Sequence, residues 1–257
     1  MGILEGKRVL ITGVLNTSSI AYASAQVAQA EGAEIVLSGF GRGLSITERV
    51  AKKLGDSVPV IELDVSNPDQ LEAAAQYIGD RWGALDGLLH SIGYAPPACL
   101  EGDILHPQWS DVSIAIEISA YSLKSLTQAM LPLLRKGSDS SVVGLDFDAQ
   151  VAWPGYNWMG VAKAALESLS RYLARDLGPD GIRVNLVSAG PIKTIAARSV
   201  ESFGGFQDLW GQKAPLGWDP SNAIPVARAV AALLSSWFPM TTGEIIHVDG
   251  GFHAVGA

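Results

Sequence analysis

The chain has 257 residues, of which 48% are hydrophobic and 17% charged, and its formal net charge is −8. This composition excludes a disordered regulator, because such chains combine low hydrophobicity with high net charge. It also argues against nucleic acid as a partner, since 18 basic residues against 26 acidic ones provide no clustered positive face for phosphates. The single cysteine excludes a disulfide framework and a cysteine-rich zinc site.

No segment reaches the roughly 18 consecutive apolar residues that a membrane span requires. The first ten residues lack the long apolar stretch of a signal peptide. We therefore expect a cytoplasmic protein that does not contact the membrane. No metal site is expected, because the four histidines lack the spacing of metal ligands: His90, His106, His247 and His253.

Short β-branched segments alternate with longer amphipathic segments along the whole chain. Strands are predicted at 7–12, 34–38, 58–63, 85–91, 141–146, 182–188 and 244–248. Helices are predicted at 19–31, 45–54, 68–82, 107–134, 155–177 and 221–237. This alternation predicts a single α/β domain over residues 1–257, a doubly wound Rossmann-type fold with a seven-stranded parallel sheet and helices on both faces.

Two longer segments, 94–106 and 190–218, interrupt this alternation. Both follow the carboxyl ends of predicted strands, where open α/β sheets bind their ligands. We expect them to form the walls of a site, and residues 190–218 to form its substrate-loop region.

The turn after the first strand, residues 12–19, is rich in small side chains. Such a turn brings backbone N–H groups and a helix N-terminus to a pyrophosphate. Only Gly13 remains of the usual glycine-rich fingerprint, so this segment alone fits an ordinary capped turn equally well. Ser19 is predicted to cap the next helix and to donate a hydrogen bond to phosphate.

The second strand ends at Phe40 without the acidic residue that most NAD-binding folds place there. Phe40 is interpreted either as stacking on the adenine or as plain core packing. Arg42 is near enough in sequence to approach a 2′-phosphate. Asp64, just past the third strand, is interpreted as an acceptor for the adenine amino group or as a surface carboxylate at a helix start.

Tyr156 and Lys163 lie seven residues apart in a predicted helix and therefore share one face. An ammonium group near a phenol stabilises the phenolate and prepares the hydroxyl to act as an acid or as an oxyanion donor. The spacing alone is common. Its place after the fifth strand of a dinucleotide-binding pattern is what favours a functional role.

With these residues, the sequence resembles the short-chain dehydrogenase/reductase superfamily over its whole length. Further motifs narrow the resemblance to the enoyl-acyl-carrier-protein reductases (NADH) of bacterial fatty acid synthesis, and Phe147 in place of a second tyrosine is similar to their mycolate-pathway branch. The motifs are Ser18-Ser19-Ile20-Ala21, His90-Ser91-Ile92-Gly93, Ile118-Ser119-Ala120-Tyr121-Ser122, Asp146-Phe147, Tyr156-Asn157-Trp158-Met159, Ala189-Gly190-Pro191-Ile192-Lys193-Thr194 and Asp249-Gly250-Gly251.

The resemblance implies that the protein reduces the 2,3 double bond of a trans-2-enoyl thioester carried by acyl carrier protein or coenzyme A. It implies NADH as cofactor, with NADPH kept open by Arg42, and a homotetramer with interfaces on helices 107–134 and 155–177. The implied catalytic residues are Tyr156, Lys163 and Phe147, and the implied substrate contacts are Tyr156, Phe147, Met159 and Trp210. Together with the residues above, the cofactor-binding set is Gly13, Ser19, Ile20, Phe40, Asp64, Val65, Ser91, Ile92, Gly93, Ile118, Lys163, Ile192 and Thr194.

Two alternatives stay open: a carbonyl (3-oxoacyl) reductase of the same superfamily and a non-catalytic dinucleotide-binding sensor. Carbonyl reductases of the superfamily usually carry a serine before the tyrosine at the position where this chain has Val143, which argues against the first alternative. The intact pair of Tyr156 and Lys163 argues against the second, because a sensor does not need that chemistry.

The chain departs from the family in two respects. Segment 195–212 is shorter than the substrate loop of the mycolate-pathway enzyme, which predicts a preference for short or medium acyl chains. Glu201 and Asp208 flank Phe203-Gly204-Gly205-Phe206, and only Arg198 and Lys213 are basic nearby. Because acyl carrier proteins are acidic, weak electrostatic steering is predicted, and coenzyme A thioesters or a specialised carrier become credible substrates.

Overall fold

The computed structural model of the chain describes residues 2–194, 197 and 203–255. At its centre, a sheet of seven parallel strands has the order β3-β2-β1-β4-β5-β6-β7. The strands are β1 (Arg8–Ile11), β2 (Glu34–Gly39), β3 (Val60–Glu62), β4 (Gly87–His90), β5 (Ser141–Asp146), β6 (Arg183–Ala189) and β7 (Ile245–Val248). Within the described residues the helices are α1 (Ile20–Ala30), α2 (Gly41–Ala51), α3 (Pro68–Trp82), α4 (Trp109–Ile116), α5 (Ser122–Leu134), α6 (Asn157–Leu177), α7 (Phe203–Lys213) and α8 (Ile224–Leu234).

The two faces of the sheet bury separate apolar clusters, as strands without polar alternation predict. Val9 and Ile11 of β1 pack in one cluster with α1, α2 and α8. Leu10, which points to the opposite face, packs in the other cluster with α3, α5 and α6. The predicted doubly wound parallel sheet with helices on both faces is therefore confirmed.

The predicted helix 107–134 is interrupted in the structure. A π-helical turn, Glu117–Tyr121, separates α4 from α5. The Ser119 hydroxyl accepts from the Tyr94 N–H at 2.9 Å and donates to the Tyr94 carbonyl at 2.8 Å, so this turn holds the loop that follows β4. The interruption arises from these long-range contacts, which the hydrophobic periodicity does not report.

The second correction concerns segment 190–218, which contains α7 rather than irregular chain throughout. Gly204, Gly205 and Gly211 lower its helix propensity and hide the pattern. Phe206 and Trp210, four residues apart, form its buried face. Among the described residues, no helix is both long and apolar enough to cross a bilayer.

Candidate active site

The turn after β1 requires glycine for two reasons. Gly13 has a φ of +81°, a conformation that side chains disfavour. A Cβ at this position would also collide with the carbonyl oxygen of Ser91, which follows β4. Thr12 ties the same two strands together, because its hydroxyl donates to the Leu89 carbonyl at 2.9 Å and accepts from the Ser91 N–H at 3.1 Å. The predicted cofactor residues Gly13 and Ser91 are thus neighbours.

Replacing Gly13 by alanine tests this close approach. We expect Gly13→Ala to lower the free energy of unfolding by about 2–4 kcal/mol, since the methyl group adds an overlap with Ser91 to the backbone strain. Gly41→Ala is the matched control, because Gly41 also has a positive φ, of +51°, but has open space around its Cβ position. The control should lose only the backbone cost of about 1–2 kcal/mol. Equal losses in urea unfolding would contradict the account.

The start of α1 confirms part of what was predicted for Ser19. Its hydroxyl oxygen caps the helix by accepting from the Tyr22 N–H at 3.1 Å. The hydroxyl proton is donated to the Asn16 carbonyl at 2.8 Å, so Ser19 must rotate before it donates to a phosphate. Ile20, the first residue of α1, packs in one apolar cluster with Ile192, which brings two predicted cofactor residues together.

At the opposite end of the site, Phe40 follows β2 and its side chain is 55% exposed. The core-packing interpretation of Phe40 is therefore wrong, and its ring is available for stacking. Asp64 accepts from both the N–H and the hydroxyl of Ser66, at 2.9 and 2.7 Å, which closes a turn before α3. One carboxylate oxygen of Asp64 thus has a local structural role. Val65, next along the chain, is buried.

The chain after β4 passes close to α6. A Cβ at Gly93 would lie 4.0 Å from both the Lys163 Nζ and the Met159 Cε, and 3.9 Å from the Ser119 Oγ. Ile118 lies in the adjoining π turn and its carbonyl accepts from the Ser122 hydroxyl at 2.6 Å. Gly93 and Lys163 of the predicted cofactor set therefore lie close to Met159 of the predicted substrate set. Ile92, which precedes Gly93, is half-buried.

Lys163 is buried, and its Nζ donates to the carbonyl oxygen of Leu145, near the end of β5, at 2.9 Å. Burial lowers the pKa of this ammonium group, and the negative charge of Asp146 raises it. Asp146 is itself buried, and neither carboxylate oxygen has a hydrogen-bond partner among the described residues. Burial raises the pKa of Asp146 to about 7 against the opposing effect of Lys163. Each of these two buried groups favours the charged form of the other, although no hydrogen bond joins their side chains.

Tyr156 immediately precedes α6, and its ring packs edge-on against Phe147 with 5.2 Å between ring centroids. Burial, followed by the charge of Asp146, raises the pKa of the Tyr156 hydroxyl above its ordinary value of 10.0. Lys163 is not among the groups that shift this pKa, so the stabilisation of a phenolate by its ammonium group finds no support here, whereas the role of the hydroxyl as an oxyanion donor stays a prediction. Tyr156 keeps its proton at physiological pH and is a hydrogen-bond donor.

An aromatic cluster, defined by the rings of Phe147, Trp153, Tyr156, Phe206, Trp210 and Phe252, covers this side of the site. Trp210 stacks on Phe252 at 3.8 Å between ring centroids and is only 2% exposed. Trp210, predicted to contact substrate, therefore lies inside the cluster, and its ring centroid is 5.9 Å from that of Phe147. The helix α7 packs against Phe147 through the rings of Phe206 and Trp210.

The segment after β6 supplies the last predicted cofactor residues. Ile192 is buried, and its carbonyl accepts from the Thr194 N–H at 2.7 Å. The Thr194 hydroxyl accepts from the Ala197 N–H at 3.1 Å. Trp218 fixes this segment from outside by donating from its Nε1 to the Pro191 carbonyl at 2.8 Å. The backbone geometry around Ile192 and Thr194 is thus held by hydrogen bonds within the loop.

Residues 13–253 match the family model for enoyl-(acyl carrier protein) reductase. The chain belongs to this family. The enoyl-acyl-carrier-protein reductase (NADH) of Mycolicibacterium smegmatis is 45% identical over 97% of each chain, and that of Mycobacterium avium is 44% identical over the same shares. The protein of that name from Aquifex aeolicus is 40% identical over all of this chain and 94% of its own. The resemblance drawn from the motifs, including the higher similarity to mycobacterial members, is confirmed.

Two features of the site differ from the sequence-based expectation: the position of Val143 relative to Tyr156, and the contribution of Phe206 and Phe252 to the aromatic cluster. Val143, where carbonyl reductases usually have serine, lies in the middle of β5 and is fully buried in the core. The residue of this segment that reaches Tyr156 is Phe147. The contributions of Phe206 and Phe252 were also missed. Only the spacing of Phe206 and Trp210 carried a signal, since residues four apart share a helical face.

His90 adds a pH dependence to the stability of this reductase. It is fully buried, its Nε2 lies 2.7 Å from the Ser122 hydroxyl, and burial, with a smaller effect of Lys163, lowers its pKa from 6.5 to about 3. Because the unfolded chain binds this proton below about pH 6.5 and the folded chain does not, stability falls as the pH falls toward the folded pKa. At pH 5 we expect a loss of about 2 kcal/mol relative to pH 7.5 from this group.

Urea unfolding of His90→Gln at the two pH values measures this contribution. The difference between the two pH values should shrink by that amount in the variant, whatever its stability at pH 7.5. His106→Gln, at an exposed position, is the control and should leave the difference unchanged. An unaltered difference in His90→Gln would mean that this histidine does not cause the acid sensitivity.

Proposed function

We propose that this protein reduces the 2,3 double bond of a trans-2-enoyl thioester with NADH, in fatty acid or related acyl-chain synthesis in the cytoplasm. The observation that carries the proposal is the meeting of Tyr156, Phe147 and Lys163 at the carboxyl end of β5, next to the chain after β4. Membership of the enoyl-acyl-carrier-protein reductase family supports it.

The residues present fit a dinucleotide. The tight turn at Gly13 leads into the N-terminus of α1, whose backbone N–H groups and dipole suit a pyrophosphate. Phe40 offers an exposed ring for the adenine, and Lys163 offers its ammonium group for the nicotinamide ribose hydroxyls. The names of the relatives specify NADH, which we adopt as the cofactor. Arg42 is exposed and near enough in sequence to approach a 2′-phosphate, so NADPH is the cofactor to test beside it.

The bound NADH supplies the hydride that reduces the β-carbon. The protein stabilises the negative charge that then develops on the thioester oxygen, and Tyr156 is the donor to that oxygen, because its raised pKa keeps the proton available. Phe147 would pack beside the nicotinamide and direct the acyl chain. The backbone of Ile192 would hold the carboxamide, and Thr194 would reach the pyrophosphate.

The substrate-loop region, residues 190–218, surrounds the acyl chain in this proposal. Met159 and Trp210 contact the chain along the aromatic cluster, and α7 covers it. The short loop favours short or medium acyl groups. Comparable kcat/KM values on very long enoyl thioesters would contradict this preference.

The carrier of the acyl group remains a choice between acyl carrier protein and coenzyme A. Asp208 and Lys213 of α7 give no net positive charge for docking an acidic carrier, whereas Arg198 and Glu201 lie outside the described residues. We propose that steering is weak, so the KM for acyl carrier protein substrates should depend little on salt. A strongly salt-dependent KM would contradict this.

We also propose a homotetramer. Trp109 of α4 is 73% exposed, and Tyr121 and Tyr172 are more than half exposed on the same group of helices. Exposed aromatic side chains in a shared region are typical of subunit interfaces. Sedimentation velocity at micromolar concentration should give the mass of four chains, and a monomer would contradict the assignment.

The function is tested by following nicotinamide absorbance with NADH and with NADPH against 2-enoyl and 3-oxoacyl thioesters of the same length. We expect oxidation of NADH with the enoyl substrate alone. Turnover of the 3-oxoacyl thioester would favour the carbonyl reductase. Tight NADH binding without turnover of either substrate would favour the dinucleotide sensor.

A further inference from the structure

The carboxyl group of Asp146 is unusual among the buried polar groups of the site. It is buried, yet neither of its oxygens has a hydrogen-bond partner among the described residues. The nearby backbone N–H of Phe147 lowers its pKa without reaching hydrogen-bonding geometry. A buried polar group without a partner costs free energy, so it calls for a reason other than local structure.

The direction of Asp146 follows from its place in the sheet. Val142, four residues earlier in β5, packs against α6 residues such as Leu166 in the second apolar cluster. Because side chains alternate along a strand, Asp146 points to the same face as Val142 and toward α6. There Lys163 donates to the carbonyl of Leu145, the residue that precedes Asp146. The ammonium group therefore lies beside the backbone of the residue next to Asp146, although no hydrogen bond joins the two side chains.

The charges that act on Asp146 come from several elements. Lys163 on α6 lowers its pKa, whereas Glu167 on α6 and Asp148 after β5 raise it. In turn, Asp146 raises the pKa of Lys163 and that of Tyr156. Further groups face the same region: His90 on β4, whose pKa the charge of Lys163 lowers, and His247 on β7, which is influenced by Glu167 and Asp148. Among the charges that act on Asp146, that of Lys163 favours its ionised form, and the charge of Asp146 favours the ionised form of Lys163.

We propose that Asp146 is a positioning residue, whose buried carboxylate is the counter-charge that keeps Lys163 charged and in place for the dinucleotide. This inference rests on the proposed function, in which Lys163 binds the ribose hydroxyls of NADH. Asp146 does not itself contact the cofactor in this account. It determines the pH range over which Lys163 can bind it, because burial alone would remove the proton from Lys163 at lower pH.

The first experiment measures the dissociation constant of NADH by calorimetry from about pH 6 to about pH 9.5 for the wild type and for Asp146→Asn. Affinity should fall at high pH, where Lys163 loses its proton. Without the counter-charge, we expect this fall to move to lower pH by about one to three units. Affinity at the acidic end should stay within about twofold, since Lys163 is protonated there in both proteins.

Glu167→Gln is the matched control. It removes another buried carboxylate from the same region, and Glu167 is not among the groups that shift the pKa of Lys163. Because Glu167 raises the pKa of Asp146, its loss favours the charged form of Asp146, so the fall in NADH affinity should not move to lower pH in this variant. A fall in affinity by the same factor at every pH in Asp146→Asn, or an equal shift of the profile in Glu167→Gln, would overturn the proposal.

A second measurement separates this inference from the proposed function. In the free protein, the infrared band of the protonated Asp146 carboxyl is identified by its loss in Asp146→Asn. In Lys163→Met this band should persist to a pH at least about one unit higher than in the wild type, because the counter-charge is gone. An unchanged titration would overturn the pairing. If the titration shifts but Lys163→Met binds NADH as tightly as the wild type, the pairing holds and the proposed role of Lys163 fails.

The double variant gives the last check. If Asp146 acts through Lys163, adding Asp146→Asn to Lys163→Met should leave the NADH dissociation constant unchanged at every pH. A further loss of affinity in the double variant would mean that Asp146 acts on the cofactor site by another route, and would overturn the proposal.

Discussion

Tyr156→Phe is expected to lower the turnover of a trans-2-enoyl thioester by about 100-fold to 1,000-fold, the effect of removing one donor to a developing oxyanion. The ring of Phe occupies the same space and keeps the edge-on contact with Phe147, whose centroid is 5.2 Å away. Because only the hydroxyl is lost, the dissociation constant of NADH should change less than about twofold. Stopped-flow turnover and calorimetry measure the two quantities on the same preparation.

Tyr77→Phe is the control for this substitution, since Tyr77 lies exposed on α3, outside the aromatic cluster and the proposed subunit interface. It should leave both turnover and NADH affinity unchanged. If Tyr156→Phe turns over at the wild-type rate with NADH bound, Tyr156 is not the donor to the thioester oxygen and the mechanism proposed for this site is wrong.

Lys163→Ala is expected to weaken NADH binding by about 10-fold to 100-fold, which corresponds to the loss of charge-assisted hydrogen bonds. The side chain is buried and its Nζ lies 2.9 Å from the Leu145 carbonyl, which holds the ammonium group at the end of β5. Calorimetric titration with NADH at pH 7.5 measures the change. The loss should appear mainly in the dissociation constant and the KM for NADH.

Lys124→Ala is the comparison for the loss of one positive charge. Lys124 lies on α5, where its Nζ is 3.2 Å from the exposed hydroxyl of Tyr121. This variant should bind NADH as the wild type does. Wild-type affinity in Lys163→Ala, or an equal loss in both variants, would show that the ammonium group of Lys163 does not hold the cofactor.

The fold was predictable because its signals are local. Apolar runs such as Val9-Leu10-Ile11 predict strands buried on both faces, and the structure places their side chains in two separate clusters. The π turn at Glu117–Tyr121 was not predictable, since it depends on Ser119 bonding to Tyr94, far away in sequence. The helix α7 was missed because its glycines weaken the propensity signal that Phe206 and Trp210 carry.

The candidate site was predictable residue by residue but not as an electrostatic system. The spacing of Tyr156 and Lys163 predicted that they lie on the same side of the site, and the turn rich in small residues predicted a role for Gly13. The sequence does not report burial, which reverses the expected effect on Tyr156 by raising its pKa. Nor does it report that Asp146 ends β5 without a hydrogen-bond partner among the described residues and next to Lys163. Such shifts depend on desolvation, which only the folded structure determines.

Hydride transfer from NADH to the β-carbon of an enoyl thioester is the step that defines the proposed activity. NADH that carries deuterium at the transferred position of its nicotinamide ring tests it directly, with the product examined by mass spectrometry and NMR. We expect one deuterium per acyl chain, located on the β-carbon, and a lower rate in Tyr156→Phe with the label at the same position. Product without deuterium, or a label on the carbonyl carbon of a 3-oxoacyl substrate with none on the enoyl substrate, would contradict it.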